Sequence, residues 1–333
     1  MKKITLYTCI VLMLAFLAAG CSSQPPSGGS SLSEPKPPGG QQEDPPEDPL
    51  YISLYYLEPD GRFLFPLSFS YNHQATPKDL VRALSSGPLR KEWGKSPIPP
   101  GLAIKEITLT GDKALVNLQP GSPPVVIDPR DEEILVKSLV FSLTSLPDLT
   151  RVEFLQEGEV PGEPFELLAS KNFYAAQDLI LNPLDGAEET TKSVRLWFSN
   201  HDILYMVPVS LPLEEVPQDI HELALLLIQA LIEGPGEGLD LISPFPEGTE
   251  VLSLKVAGRV LEVDFNRAFK TNFSGGSSLE WAVINSLVLT LTEMEGVEEV
   301  QILVEGRKEE AALGHMDTAE PIIRGVVNWV LSD

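Results

Sequence analysis

The chain has 333 residues, a length that suggests about two domains, and 43% of its residues are hydrophobic, enough to build real cores. Its 48 acidic against 24 basic residues give a formal charge of −24. That charge argues against nucleic-acid binding, which relies on clustered Lys and Arg to neutralise phosphates, and against direct adsorption to anionic lipid headgroups. Two Cys and four His are too few for a disulfide framework or a Cys-based zinc site and leave little for metal or triad chemistry, so neither a metal nor a cofactor is expected.

The first segment, residues 1–20, reads as a signal peptide. Lys2 and Lys3 form a positive start, and Ile4 to Ala19 is an apolar run. Leu17-Ala18-Ala19-Gly20-Cys21 then leads small residues into a Cys and resembles the bacterial lipobox, although Ala18 stands where Leu is usual. That resemblance implies acylation of the Cys21 thiol, a new N-terminus at Cys21, and a chain tethered to the cell membrane on its extracytoplasmic face. Cys9 leaves with the signal, and the processed chain would carry a charge of −26.

Residues 21–50 read as a disordered linker: 8 Pro, 6 Ser and 4 Gly, without apolar periodicity, cannot offset chain entropy by burial. Fully extended, such a linker reaches roughly 90 Å.

From residue 51 onward the sequence repeats itself. Ser53-Leu54-Tyr55-Tyr56 aligns with Arg195-Leu196-Trp197-Phe198 at a shift of 142. Ala83-Leu84-Ser85-Ser86-Gly87-Pro88 aligns with Ala230-Leu231-Ile232-Glu233-Gly234-Pro235 at 147. At the latter shift Val116-Asn117-Leu118 meets Val263-Asp264-Phe265. Val152, Phe154 and Gly158 meet Val300, Ile302 and Gly306 at 148. So ordered an agreement marks a tandem of two modules, 51–185 and 186–333, with a boundary near 184–192.

In the first module, Ile52–Leu57 and Phe63–Leu67 read as strands about the turn Glu58-Pro59-Asp60-Gly61. Thr76, Pro77 and Asp79 open a helix as N-cap, N1 and capping-box residues, and Gly87-Pro88 ends it. Two strands about Thr110-Gly111-Asp112-Lys113 follow. A helical pattern from Asp131 to Leu146 and a last strand, Arg151–Gln156, complete the module. The second repeats the order: Asp219 with Glu222 caps a helix over Ile220–Glu233, strands flank Gly258, Ser277 with Glu280 caps a helix to about Met294, and Val300–Val304 closes. Trp281–Leu291 is apolar nearly all round and is expected to be buried on several sides, with Trp281 in the core. The fold class is α+β, two β-β-α-β-β-α-β modules, each expected as a sheet with helices packed on one face.

Four segments of the second module carry a family resemblance: Ala230-Leu231-Ile232-Glu233-Gly234-Pro235, Pro246-Glu247-Gly248-Thr249, Val263-Asp264-Phe265-Asn266, and Gly314-His315-Met316-Asp317 leading to Pro321-Ile322-Ile323. They resemble the signature of the GerM domain family. In the first module Asn117 replaces the Asp, Ala103 replaces the Thr, and the Gly-His segment has no clear copy. The resemblance implies a non-catalytic domain similar to the ring-building motifs of sporulation channel proteins. It also implies assembly proteins of the forespore–mother cell interface as partners, and an oligomer or ring.

Catalytic motifs do not complete themselves. His221-Glu222 begins a zinc helix motif, but position 225 is Leu. The run Gly234-Pro235-Gly236-Glu237-Gly238 holds an acid and is followed by no Lys, so a phosphate would be repelled. His315, Asp317 and Asp264 read as turn formers and caps. The residues therefore point to a tethered adapter working by protein–protein contact. The competing class is an extracytoplasmic hydrolase or binding protein acting on cell-wall peptidoglycan through a matched acidic pair. Asp264 faces Asn117 across the repeat, which favours the adapter.

Overall fold

The computed structural model describes residues 50–71, 75–121, 126–184 and 192–330. The signal segment, Cys21, nearly all of the linker, and most of the expected module boundary lie outside the described residues.

The first half opens with β1 (Leu50–Leu57) and β2 (Leu64–Tyr71), paired antiparallel from Leu50↔Tyr71 to Leu57↔Leu64. The Thr76 hydroxyl accepts the Asp79 N–H, and the Asp79 carboxylate accepts the Thr76 N–H in return. This reciprocal cap starts α1 (Pro77–Ser86). Gly87 ends the helix at φ 76°, a backbone setting that favours glycine. β3 (Leu102–Thr110) and β4 (Lys113–Pro120) turn tightly over Gly111-Asp112, and α2 (Pro129–Leu143) crosses back to set β5 (Arg151–Gln156) parallel to β4. A helix is the usual crossover between parallel neighbours, because a short turn cannot reverse the chain twice. The short helix α3 (Glu166–Ser170) follows.

The second half repeats this plan. β6 (Ser193–Asn200) pairs with β7 (Met206–Pro212), and α4 (Ile220–Glu233) follows, its N-terminus capped by Asp219. The two-residue strand β8 (Leu241–Ile242) adds to β6. β9 (Val251–Ala257) and β10 (Val260–Phe265) form the second hairpin, followed by α5 (Arg267–Thr271), α6 (Ser277–Leu291) and β11 (Glu299–Val304), which is parallel to β10. Finally β12 (Ile322–Ile323) pairs with β11.

The α+β character agrees with the sequence, but the strands of each half are divided between two sheets. β1–β2 stands apart from β3–β4–β5, and β7–β6–β8 stands apart from β12–β11–β10–β9. The reason lies in the long helices. α2 packs against both β1 and β5, and α6 against both β6 and β11, so each helix occupies the position where a continuous sheet would join. Both are buried along most of their length; Leu135, Val136, Leu139, Val140 and Leu143 of α2 are all 0% exposed. Truncating such a residue to Ala costs about 2–5 kcal/mol.

A two-stranded hairpin leaves an outer edge of unpaired backbone groups on each strand. Hydroxyls on the buried helices meet the edge of the first strand. Ser138 Oγ donates to the Tyr55 carbonyl at 2.7 Å, and Ser142 Oγ accepts the Tyr55 N–H at 2.9 Å. At the equivalent place Ser286 donates to the Trp197 carbonyl, and Thr290 Oγ1 accepts the Trp197 N–H at 3.0 Å. Polar positions in an otherwise apolar helix are thus explained: each hydroxyl satisfies a buried backbone group.

The halves meet along their hairpins. β2 packs against β7, and Phe65 stacks on Tyr205 with centroids 4.1 Å apart. The described residues belong to one compact unit.

Candidate functional site

The repeat places the same bonds in both halves, and this separates scaffold residues from free ones. Asp264, near the end of β10, reaches across to accept the Gly306 N–H at 2.8 Å. Asn117, its equivalent on β4, accepts the Gly158 N–H through Oδ1 at 3.0 Å. Both glycines have positive φ, 73° and 92°, at the turn after the parallel strand. An amide oxygen and a carboxylate oxygen do the same work, so this position requires an acceptor and not a charge. Asp264 does not cap its own following turn, as the sequence suggested; it fixes a turn on the neighbouring strand.

Buried carboxylates repeat in the same way. Glu132 on α2 accepts the Glu166 and Leu168 N–H groups at 3.1 and 2.7 Å. Glu280 on α6, 0% exposed, accepts the His315 and Met316 N–H groups at 3.0 and 2.8 Å and lies 3.1 Å from His315 Nδ1. The sequence placed Ser277 and Glu280 as a helix cap. Instead Gly276 is the N-cap without a side-chain bond, and Glu280 turns inward, because the carboxylate satisfies backbone donors of the segment packed on the helix. The Gly314-His315-Met316-Asp317 segment therefore has a counterpart in the first half, around Phe165 to Leu168, hidden because the shared feature is backbone N–H donation. Asp317 accepts the Ala319 N–H at 2.9 Å, as a turn former does. His315 bonds to Glu280, while Asp317 bonds within its own turn at Ala319.

At the strand turns the sign of an ion pair is exchanged between halves. Asp112 pairs with Arg151 at 2.6 Å, and Arg259 with Glu298 at 2.5 Å. Arg151 and Thr150 hold the Asp112 carboxyl down at about 2. His221 and Glu222 donate their backbone N–H groups to Asp219, so both belong to the first turn of α4. Trp281 is only half-buried, packed on the small cluster of Trp197, Met206 and Leu289. Among the described residues no group of three or more His, Cys, Asp or Glu could hold a metal ion, and no helix is long and apolar enough to cross a membrane.

Two asparagines escaped the sequence reading. Asn182 Nδ2 donates to the carbonyls of Leu64 and Pro208, both at 2.6 Å, while its Oδ1 accepts the Leu64 N–H at 2.8 Å. Asn328 Nδ2 donates to Pro66 and Met206 carbonyls at 2.7 and 2.8 Å, and its Oδ1 accepts the Met206 N–H at 2.7 Å. Each thus ties β2 to β7 and sits at positive φ, 50° and 47°. The tails around them exchange partners: Pro183 bridges to Ser210 and Trp329 to Ser68. A lone Asn inside an apolar stretch, Leu181-Asn182-Pro183-Leu184 and Val327-Asn328-Trp329-Val330, was the only signal.

A family model described as Germane, sporulation and spore germination, matches residues 53–161 and again 195–310. The chain belongs to the Germane family. Its two matched segments begin in β1 and β6 and carry the repeated bonds described above. The spore germination protein GerM of Bacillus subtilis (strain 168) is 28% identical over 204 residues. That match spans 59% of this chain and only 54% of the length of that protein. The solved tandem GerMN domains of the sporulation protein GerM from Bacillus subtilis share its fold, with a TM-score of 0.64 at 20% identity, covering 85% of this chain and 99% of that one. Of the acids in the four segments that carry the resemblance, Asp264 and Asp317 accept backbone N–H groups in this chain.

Proposed function

We propose that this Germane-family protein is a non-catalytic adapter of sporulation or spore germination, held on the extracytoplasmic face of the cell membrane through lipidated Cys21 and working by contact with assembly proteins of the forespore–mother cell interface. One observation carries the reading: Asp264 and Asn117 make the same bond to a turn glycine in the two halves. The acid that a hydrolase would need is replaced by a neutral amide where the fold repeats. Glu132 and Glu280 are likewise occupied by backbone donors. The processed chain's charge, 22 basic against 48 acidic residues or −26, supplies a long-range field that steers association with basic partners.

Acyl chains anchor at about 0.8 kcal/mol per buried CH₂, so Cys21→Ser is expected to release the protein from the membrane fraction and abolish labelling by a palmitate analogue. Equal labelling of both forms would remove the anchor from the proposal. Site-specific crosslinking in sporulating cells is expected to recover a discrete protein partner, and purified chain is expected to release no soluble fragments from cell-wall sacculi. Fragment release lost in a folded Asp264→Ala variant would replace the adapter with a hydrolase.

A further inference from the structure

A cleft of about 430 Å³ opens between the halves, bounded by the tip of the first hairpin, the start of α2, the tail at 182–184 and the loop after α4. In a strongly acidic chain its walls carry three cations, Arg62, Arg130 and Lys137. Phe63, Leu64 and Leu239 supply an apolar side. The Lys137 side chain is 7% exposed and paired with Glu133, so its charge is answered locally. The two guanidinium groups are not so answered. Arg62 Nη1 donates to the Gly238 carbonyl at 2.5 Å and Arg130 Nη2 to the Gly61 carbonyl at 2.8 Å. Among the described residues neither has a carboxylate at ion-pair distance.

The repeat provides an internal control. The shifts that align the repeated bonds place Leu204 opposite Arg62, Ser278 opposite Arg130, and Asn285 opposite Lys137. Trp281 replaces Glu133, and the corresponding hollow is lined by Ile203, Leu204, Ser277, Ser278 and Trp281. Bonds that the fold needs occur twice; this charge set occurs once. The module folds without it.

We propose that the cleft binds a small monocarboxylate with an apolar body, the class to which N-acylated amino acids and peptide C-termini belong. A guanidinium fork matches the planar carboxylate, and two line this cleft, Arg130 held on the Gly61 carbonyl and Arg62 on the Gly238 carbonyl. The lining charge is +1, since Glu133 and Glu237 oppose two of the three cations. One carboxylate balances it, whereas a doubly charged phosphate would face both acids. The apolar wall accepts the rest of the ligand. This site is independent of the adapter reading, because it needs neither a protein partner nor an anchor.

The test titrates the purified full chain with N-acetyl-leucine, with the amide of the same compound and with inorganic phosphate, followed by calorimetry. N-acetyl-leucine is expected to saturate, and the amide and phosphate to bind at least about tenfold more weakly, as loss of a charge-assisted hydrogen bond predicts. Arg130→Ser and Arg62→Leu bring in side-chain types that the second half already carries at these places. Each is expected to weaken N-acetyl-leucine by about tenfold with an unchanged melting temperature, while Arg82→Ser on exposed α1 leaves it unaltered. Four results would overturn the site: acid and amide binding alike, phosphate binding more tightly, no saturation by about 10 mM, or both cleft variants binding as the wild type does.

Discussion

Glu58 shows how one residue can differ between otherwise matched halves. It is 2% exposed, its Oε2 has no hydrogen-bond partner among the described residues, and its equivalent, Asn200, uses Oδ1 to accept the Leu204 and Tyr205 N–H groups at 2.7 and 3.1 Å. Burial, with Asp60 and Asp240 adding to it, pushes the Glu58 carboxyl up to about 8, against the smaller opposing pull of the Phe63 backbone and Arg62. Burial also raises the hydroxyl of Tyr205, which lies close enough to feel the Glu58 charge. A carboxyl raised in the folded state keeps a proton that the unfolded chain has released above about pH 4.5. The folded state therefore loses stability as pH rises from there to about 8, by at most about 4 kcal/mol. Glu58→Gln keeps the shape and removes the charge. Urea melts across pH 5 to 8 should show a flatter stability profile for the variant and a clear gain at pH 8. Parallel profiles would mean that Glu58 does not carry the proton.

At the scale of elements the hairpins depend on what is brought to their edges. Removing the Asn182 side chain leaves the Leu64 N–H and the Leu64 and Pro208 carbonyls unsatisfied in the interior. Asn182→Ala should therefore cost roughly 2–4 kcal/mol, measured by denaturant unfolding. Asn328→Ala should cost a similar amount. Asn→Gly at either site relieves the positive φ but not the lost bonds, so it should recover only about 1 kcal/mol. If Gly restored wild-type stability, backbone conformation rather than the hydrogen bonds would be the source. The same elements show what the sequence discloses. Periodicity, caps and turn residues located the long helices and the hairpin and parallel strands, because those signals are local: Thr76 with Asp79, Gly87 and Gly234, and Gly111 all act where they stand, whereas the short elements α3, α5, β8 and β12 were not foreseen. The division into two sheets per half was not visible, since it depends on where α2 and α6 insert. Glu280 was misread as a cap because a Ser-x-x-Glu spacing at a helix start looks the same whether the carboxylate turns back or inward. Glu132, Asn182 and Asn328 bond across 26 to 262 positions of chain, and a single sequence carries no record of that proximity. The cationic cleft was hidden for the same reason, as Arg62, Arg130 and Glu237 come from three distant segments.

At the scale of the whole molecule the halves are bound reciprocally. The tail of each reaches the second hairpin strand of the other, through Pro183 to Ser210 and Trp329 to Ser68, and Phe65 stacks on Tyr205 between them. The protein should therefore unfold as one cooperative unit, with calorimetric and van't Hoff enthalpies equal; two resolved transitions would mean that the halves are energetically separate. In this doubled scaffold Asp264, Glu132 and Glu280 hold turns and tails in place. If these acids are structural acceptors and the protein acts by binding, as proposed, then the Asp264 charge is dispensable. Asp264→Asn tests it most directly, because Asn117 already makes the equivalent bond. The measurement is phenotypic complementation in sporulating cells that lack the protein, with thermal melting of the purified variant as the check on folding. Full complementation is expected, with a stability change within about 1 kcal/mol of wild type. A variant that melts normally yet fails to complement would contradict it, since the carboxylate itself would then be doing what an amide cannot.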